Sequence, residues 1–172
     1  MSEAKHYSAE QNITYEFYRG SDIAGKLSKD DIVKLTALRY GLYKKEQARW
    51  NATGVDLDPS EVKSTSATIE YFSECTAIAL ARADGTIIGF GTGTQDRYQE
   101  MLPDNIYLDE GALNPTYIGT GIEAELAKQL LDYCRKNGYS TFITSVDVNN
   151  PDNDKNMRSV GFVPWQMDYI CH

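Results

Sequence analysis

Hydrophobic and polar residues alternate along Ile13–Arg19 (I-T-Y-E-F-Y-R), the two-residue period of a strand with one buried face. From Ser28 the period changes. Ile32, Leu35, Leu38 and Leu42 recur every three or four positions, which predicts a helix with one stripe turned inward, running to about Trp50. Ser28-Lys29-Asp30-Asp31 supplies an N-cap and early acids for it. Asn51–Pro59 is a polar connector, and Pro59-Ser60-Glu61 opens another helix reaching about Ser73. Thr76–Ala83 and Thr86–Thr94 are β-rich and joined by Ala83-Asp84-Gly85, a hairpin signal. Gln95–Asp104 is polar and irregular, and Ile106–Leu113 is a strand ended by Asn114-Pro115. Gly119–Asn137 is the clearest helix, with Ile122, Leu126, Leu130 and Cys134 on one face and Gly138 at its C-terminal end. Ser140–Val148 is a strand, Asp152–Val160 a short helix and Phe162–Ile170 a last strand. Antiparallel strands followed by one strand–helix–strand unit predict an α+β fold with a mixed sheet.

Composition narrows the class. The 172 residues suffice for one domain, expected over 13–172 behind a flexible tail at 1–12. Hydrophobic residues at 41% and charged residues at 24% exclude wholesale disorder. Seventeen Lys+Arg against twenty-five Asp+Glu leave a net charge of −8, the wrong sign for a general nucleic-acid binder. No apolar run approaches the ~18 residues of a membrane span. The polar start Met1–Gln11 is unlike a signal peptide, so a cytoplasmic protein is expected. Cys75, Cys134 and Cys171 form no C-x-x-C, which argues against a disulfide scaffold or a zinc site. The acidic run Asp147–Asp154 has Pro151 and Asp152 where a calcium loop needs a ligand and a glycine, so no metal is expected.

Chemistry concentrates at Pro115–Glu123, between a strand and a helix. Its two glycines let backbone come close to a ligand, and the helix start offers amides and a positive dipole end, a combination suited to a pyrophosphate. A Walker A loop is excluded because Ile122-Glu123 follows the second glycine. Gly119-x-Gly121-x-x-Ala124 matches a dinucleotide fingerprint in form, but five residues part the strand end from the first glycine, where that motif turns directly off its strand. A coenzyme A cradle is the remaining functional reading, beside that of a glycine-rich turn that merely opens a helix.

From Thr76 onward the chain resembles the GNAT N-acetyltransferase superfamily. The stretches concerned are T-A-I-A-L-A-R-A-D-G-T-I-I-G-F-G, L-N-P-T-Y-I-G-T-G-I-E-A-E-L, L-L-D-Y-C-R-K-N-G-Y and N-N-P-D-N-D-K-N-M-R-S-V-G-F. The resemblance implies a central, mostly antiparallel twisted sheet of about six or seven strands with helices on both faces. It implies acetyl-CoA or another acyl-CoA as co-substrate, its pyrophosphate held by the backbone of Ile118, Gly119, Thr120, Gly121, Ile122 and Glu123. Ala112 and Leu113 would pair with the pantetheine amides, and Asn150 would lie near the pantetheine and thiol arm. The family's loop carries a basic or amide residue where Ile118 stands and a small one where Glu123 stands. A carboxylate about 6 Å from a phosphate opposes binding by roughly 3 kcal/mol at an effective dielectric near 20 if it points inward, and suits the helix start if it points outward. The tyrosine often used as general acid is replaced by Met157, which has no proton to donate.

Transfer to an amine also needs a base, and Glu110, with Asp109 beside it, is the candidate; alternation along a strand lets only one of them face the reaction centre. The expected activity is transfer of an acetyl or short acyl group to a primary amine of a small molecule or peptide. The acidic balance favours a cationic acceptor such as a polyamine, aminoglycoside or lysine-bearing peptide. A homodimer is compatible with this reading. The rival readings are a catalytically silent GNAT-like module that binds coenzyme A derivatives or a protein partner, and a dinucleotide-dependent enzyme.

Overall fold

The computed structural model describes residues 12–51, 58–95, 100, 102–146 and 150–164. One sheet, in the spatial order β1-β2-β3-β4-β5, is built from β1 (Ile13–Tyr18), β2 (Ala77–Ala83), β3 (Thr86–Thr94), β4 (Asn105–Leu113) and β5 (Thr141–Thr144). β1 to β4 are antiparallel to one another in succession, and β5 runs parallel to β4. Around it lie α1 (Gly20–Ile23), α2 (Lys29–Asn51), α3 (Thr65–Glu74), α4 (Ile122–Lys136) and α5 (Pro151–Ser159). This is the expected mixed α+β class, with five strands among the described residues in place of six or seven. The expected last strand falls mostly on residues 165–172, outside the described residues, and 162–164 carry no strand. The tail expected at 1–12 also lies outside them, save residue 12. Among the described residues β4–α4–β5 is the one parallel crossover, short of the repeated crossovers of a doubly wound dinucleotide fold.

The alternation of β2 divides the core in two. Ala77, Ala79, Ala81 and Ala83 face α4, where their small side chains let Leu126, Leu130, Leu131 and Cys134 settle on the sheet. Each fully buried leucine contributes about 1.5–3 kcal/mol. Ile78 and Leu80 face the opposite layer, meeting Ile23 of α1, Leu35 of α2 and Phe72 of α3. On that same side Arg82 pairs with Asp31 at 2.6 Å and Glu16 at 2.9 Å, tying β1, β2 and the start of α2 together. Ser28 caps α2 as expected: its Oγ accepts from the Asp31 amide at 3.1 Å while the Asp31 carboxylate accepts from the Ser28 amide.

Three boundaries differ from the sequence reading. The helix expected from Pro59 to Ser73 is a 3-10 turn over Pro59–Lys63 and a separate α3, because Ser64 is extended and caps α3 by accepting from the Ala67 amide. The helix expected from Gly119 starts at Ile122, after a 3-10 turn at Pro115–Tyr117. The strand expected over Ser140–Val148 is confined to Thr141–Thr144 in the described residues.

Candidate active site

The site starts from an irregularity in the β3–β4 ladder. Gly91 pairs with Gly111 and Gly93 with Leu108, so Thr92 alone stands opposite two residues, Asp109 and Glu110. This β-bulge breaks the in–out alternation of β4. Both acids consequently reach the same helical layer, contrary to the alternation expected from sequence. Glu110 receives Arg39 Nε at 2.7 Å and Nη2 at 2.8 Å, a bidentate pair from α2, and the Tyr43 hydroxyl at 3.0 Å. The pair is nearly dry, with side-chain exposures of 5% for Arg39 and 10% for Glu110. The Arg39 guanidinium lies 3.9 Å from the ring centre of Tyr71 on α3. Burial alone would lower the Arg39 pKa, but the Glu110 bond and charge outweigh it and the net direction is upward.

Asp109 is exposed, and one of its oxygens accepts from the Tyr71 hydroxyl at 3.0 Å. Burial, followed by the Glu110 charge, raises the Tyr71 pKa and pushes that of Tyr43 up to about 12, so both phenols are neutral at pH 7. The two acids thus differ. Glu110 has its oxygens engaged by a buried cation and a phenol, whereas Asp109 presents a carboxylate to solvent.

Beyond Leu108, which pairs with Thr144, β4 runs on through Asp109–Leu113 with no strand partner on its β5 side among the described residues. Ala112 and Leu113 lie on that stretch, each half-buried. The chain then passes through Ile118, 58% exposed, to Gly119 (φ +80°) and Gly121 (φ +85°), both with open space where a Cβ would stand. Those left-handed angles turn the chain into α4, whose start no side chain caps. The amides at this helix mouth, Ile122 and Glu123 among them, are therefore available to an acceptor from outside. Thr120 is turned back on its own loop, its hydroxyl donating to the Tyr117 carbonyl at 2.6 Å. The Glu123 carboxylate accepts from Asn156 Nδ2 of α5 at 3.0 Å, a contact at the surface between α4 and α5. Asn150 caps α5 by accepting from the Asn153 amide at 3.4 Å, and Met157 lies half-buried in its last turn.

The sequence reading therefore named residues of one region. Asp109, Glu110, Ala112 and Leu113 share the bulged end of β4, and Ile118–Glu123 follow directly. Asn150 opens α5, the helix whose Asn156 reaches Glu123. Sequence missed Arg39, Tyr43, Tyr71 and Thr92, which come from three other elements. The available signal was Arg39 on the apolar stripe of α2, one position past Leu38. A cleft of about 310 Å³ lies away from these residues, at the far end of α4, between Arg19, Ser73, Thr76, Tyr133 and Tyr139. Among the described residues no group of three His, Cys, Asp or Glu could hold a metal, and no helix is long and apolar enough to cross a membrane.

Comparison with known proteins accords with this geometry. Solved structures with the same architecture include the aminoglycoside N-acetyltransferase AAC(6')-Iy in complex with CoA, at 14% identity and TM-score 0.66 over 94% of this chain and 95% of that one. A phosphinothricin acetyltransferase of Sinorhizobium meliloti in complex with AcCoA gives 18% identity and TM-score 0.67 over 87% and 74%. A ribosomal-protein-alanine N-acetyltransferase of Brucella melitensis biovar Abortus 2308 gives 14% and 0.56 over 94% and 99%. A sequence search among curated proteins finds no match. The model of the Acetyltransferase (GNAT) family matches residues 40–162, well over half of the chain and inclusive of the bulge, the glycine loop and α5. The chain belongs to the GNAT acetyltransferase family.

Proposed function

We propose that the protein transfers an acetyl or short acyl group from acyl-CoA to a primary amine, with a cationic small molecule or peptide as acceptor. The observation that carries this reading is the contiguity of an uncapped helix mouth, the β4 edge past its last β5 pair and an exposed carboxylate. Backbone amides of Gly119, Gly121, Ile122 and Glu123 would hold the diphosphate, and the edge at Ala112–Leu113 would pair with the pantetheine amides. The residues present fit that cofactor, since there is open space where a Cβ would stand at Gly119 and Gly121 and no side-chain hydrogen bond caps the helix start. The acyl carrier supplies a thioester carbonyl open to attack.

Asp109 would take one proton from the acceptor ammonium, leaving a neutral amine to attack. The second proton of that nitrogen departs with the thiolate, so no acid at Met157 is required for the balance. Glu110, held by Arg39 and Tyr43, would keep the bulge in shape. With Glu110 neutralised by Arg39, the exposed carboxylate of Asp109 and the net charge of −8 would favour a cationic acceptor. The test is thiol release from acetyl-CoA across a panel of polyamines, aminoglycosides and lysine peptides. Loss of a general base costs 10²–10⁴-fold, so Asp109→Asn should lower kcat at least about a hundredfold while leaving the melting temperature nearly unchanged. Full activity in that variant would refute the role.

A second reading, a silent module that binds coenzyme A derivatives, draws on Glu123 at the helix mouth and Met157 in place of a proton donor. It predicts a melting shift with acetyl-CoA and no thiol release with any amine. A ligand at a hundred times its dissociation constant adds about 2.7 kcal/mol, an easily measured shift.

A further inference from the structure

A run of polar groups joins Asp109 to the main chain of the bulge. Tyr71 Oη is 3.0 Å from Asp109 Oδ2 and 2.7 Å from Thr92 Oγ1. Thr92 Oγ1 is 3.0 Å from the Glu110 amide nitrogen and 3.1 Å from the Glu110 carbonyl oxygen. The amide always donates to Thr92. That leaves three contacts, Thr92 to the Glu110 carbonyl, Thr92 to Tyr71 and Tyr71 to Asp109, each needing one proton. Each hydroxyl carries one. When Asp109 is ionised, two protons serve three contacts. An ionised carboxylate accepts only, so Tyr71 donates to Asp109, Thr92 donates to Tyr71, and the Glu110 carbonyl receives nothing from Thr92. When Asp109 is protonated on Oδ2, the oxygen facing Tyr71, three protons serve three contacts and every arrow reverses: Asp109 to Tyr71, Tyr71 to Thr92, Thr92 to the Glu110 carbonyl.

We propose that Tyr71 and Thr92 form a reversible hydroxyl relay that follows the proton on Asp109, presenting a donor to it as a base and an acceptor to it as an acid. Both are positioning residues. The relay deepens the function proposed above, since it gives Asp109 a partner in each of the two states that a base must pass through. The proton itself stays between acceptor amine and carboxylate; the hydroxyls rotate and neither is ionised. Thr92 is 1% exposed, so water has little access to stand in for its hydroxyl. Among the described residues, the other titratable groups near Asp109 are Cys75 beside α3, Glu110 on its own strand and Tyr43 from α2, with Arg39 of α2 behind Glu110. Arg39 is engaged by Glu110, and the Cys75 thiol, pushed up to about 12 chiefly by burial, is neutral.

The count of bonds gives opposite signs to two substitutions. Thr92→Val takes three bonds from the protonated state and two from the ionised state, the amide bond being common to both, so the Asp109 pKa falls, by roughly half to one pH unit. Tyr71→Phe takes the charge-assisted bond from the ionised state, so the pKa rises. The experiment is a carbon NMR titration of the Asp109 carboxyl in the full chain, with Thr92→Ser as the conservative control. In the unaltered protein the Glu110 carbonyl carbon should titrate with the Asp109 midpoint, and that response should vanish in Thr92→Val and return in Thr92→Ser. This measurement on the unaltered chain also serves if Tyr71→Phe fails to fold. Opposite shifts with serine rescue support the relay. Shifts of one sign, or a Glu110 carbonyl indifferent to Asp109, overturn it. Because the titration needs no substrate, a relay that behaves as described in a protein without transferase activity would sink the base assignment alone. Transferase activity with an Asp109 insensitive to Thr92 would sink the relay alone.

Discussion

Replacing Arg39 by methionine keeps most of the apolar stem and removes the guanidinium from beneath Glu110. The loss has three parts: two hydrogen bonds at 2.7 and 2.8 Å, the stacking on Tyr71 at 3.9 Å, and the countercharge for a carboxylate only 10% exposed. Removing one partner of a buried pair costs about 3–5 kcal/mol. An abandoned carboxylate can instead take up a proton, which for a glutamate side chain costs about 4 kcal/mol at pH 7 but only about 1 kcal/mol at pH 5. That route caps the penalty and makes it depend on pH. Arg39→Met should therefore destabilise the protein by about 3–4 kcal/mol at pH 7, near 10 °C in Tm for a chain of this length, and by clearly less at pH 5. Urea unfolding at both pH values measures this. The double variant Arg39→Met/Glu110→Leu removes both charges and should recover much of the loss. A deficit below 1 kcal/mol at pH 7, or one unchanged at pH 5, would refute the reading of a dry, mutually dependent pair.

Three further outcomes follow from the same contacts. The Glu123 carboxylate is at the helix mouth but tied sideways to Asn156, so Glu123→Gln should tighten acyl-CoA binding about threefold per phosphate charge at low salt, with the gain fading at high salt; calorimetric titration at two ionic strengths checks it. Asp31 is held below its ordinary carboxyl value, first by the Arg82 hydrogen bond, so its contribution is present above about pH 4 and lost as pH falls through the depressed value. Asp31→Asn should thus be less stable at pH 7 and lose less on acidification below pH 4, by denaturant midpoints. Gly121→Ala forces a Cβ into the left-handed region at φ +85°, which should cost about 1–2 kcal/mol and weaken acyl-CoA binding, read from melting curves with and without the ligand.

Much of this architecture is written in local patterns. The Asp84-Gly85 turn takes φ +47° and +81°, as a tight hairpin requires, and the α4 stripe Leu126, Leu130 and Cys134 is buried where the period put it. The glycine loop was also readable, because left-handed glycines before a helix leave a composition trace. What stayed hidden was non-local. The stripe of α2 ends not on leucines but on Thr36 and Arg39, both buried because partners 32 and 71 positions away in sequence satisfy them. No window on α2 contains Thr68 or Glu110. The bulge was equally illegible: nothing in T-G-T or L-D-E announces that one threonine will face two acids, and a strict period of two then assigns the carboxylates to opposite faces. α1, four residues long, is shorter than any period can reveal. Ser64, within a run of hydroxyl residues, was a cap signal passed over in favour of one continuous helix.

The central claim is that amides at the start of α4 grip the diphosphate of an acyl carrier. An amide nitrogen–proton NMR titration with coenzyme A tests it most directly. Saturable shifts should concentrate at Gly119, Gly121, Ile122 and Glu123, with smaller ones along Gly111–Leu113. Shifts absent from those amides at millimolar ligand, or gathered instead around Arg19 and Tyr139 at the far end of α4, would contradict it.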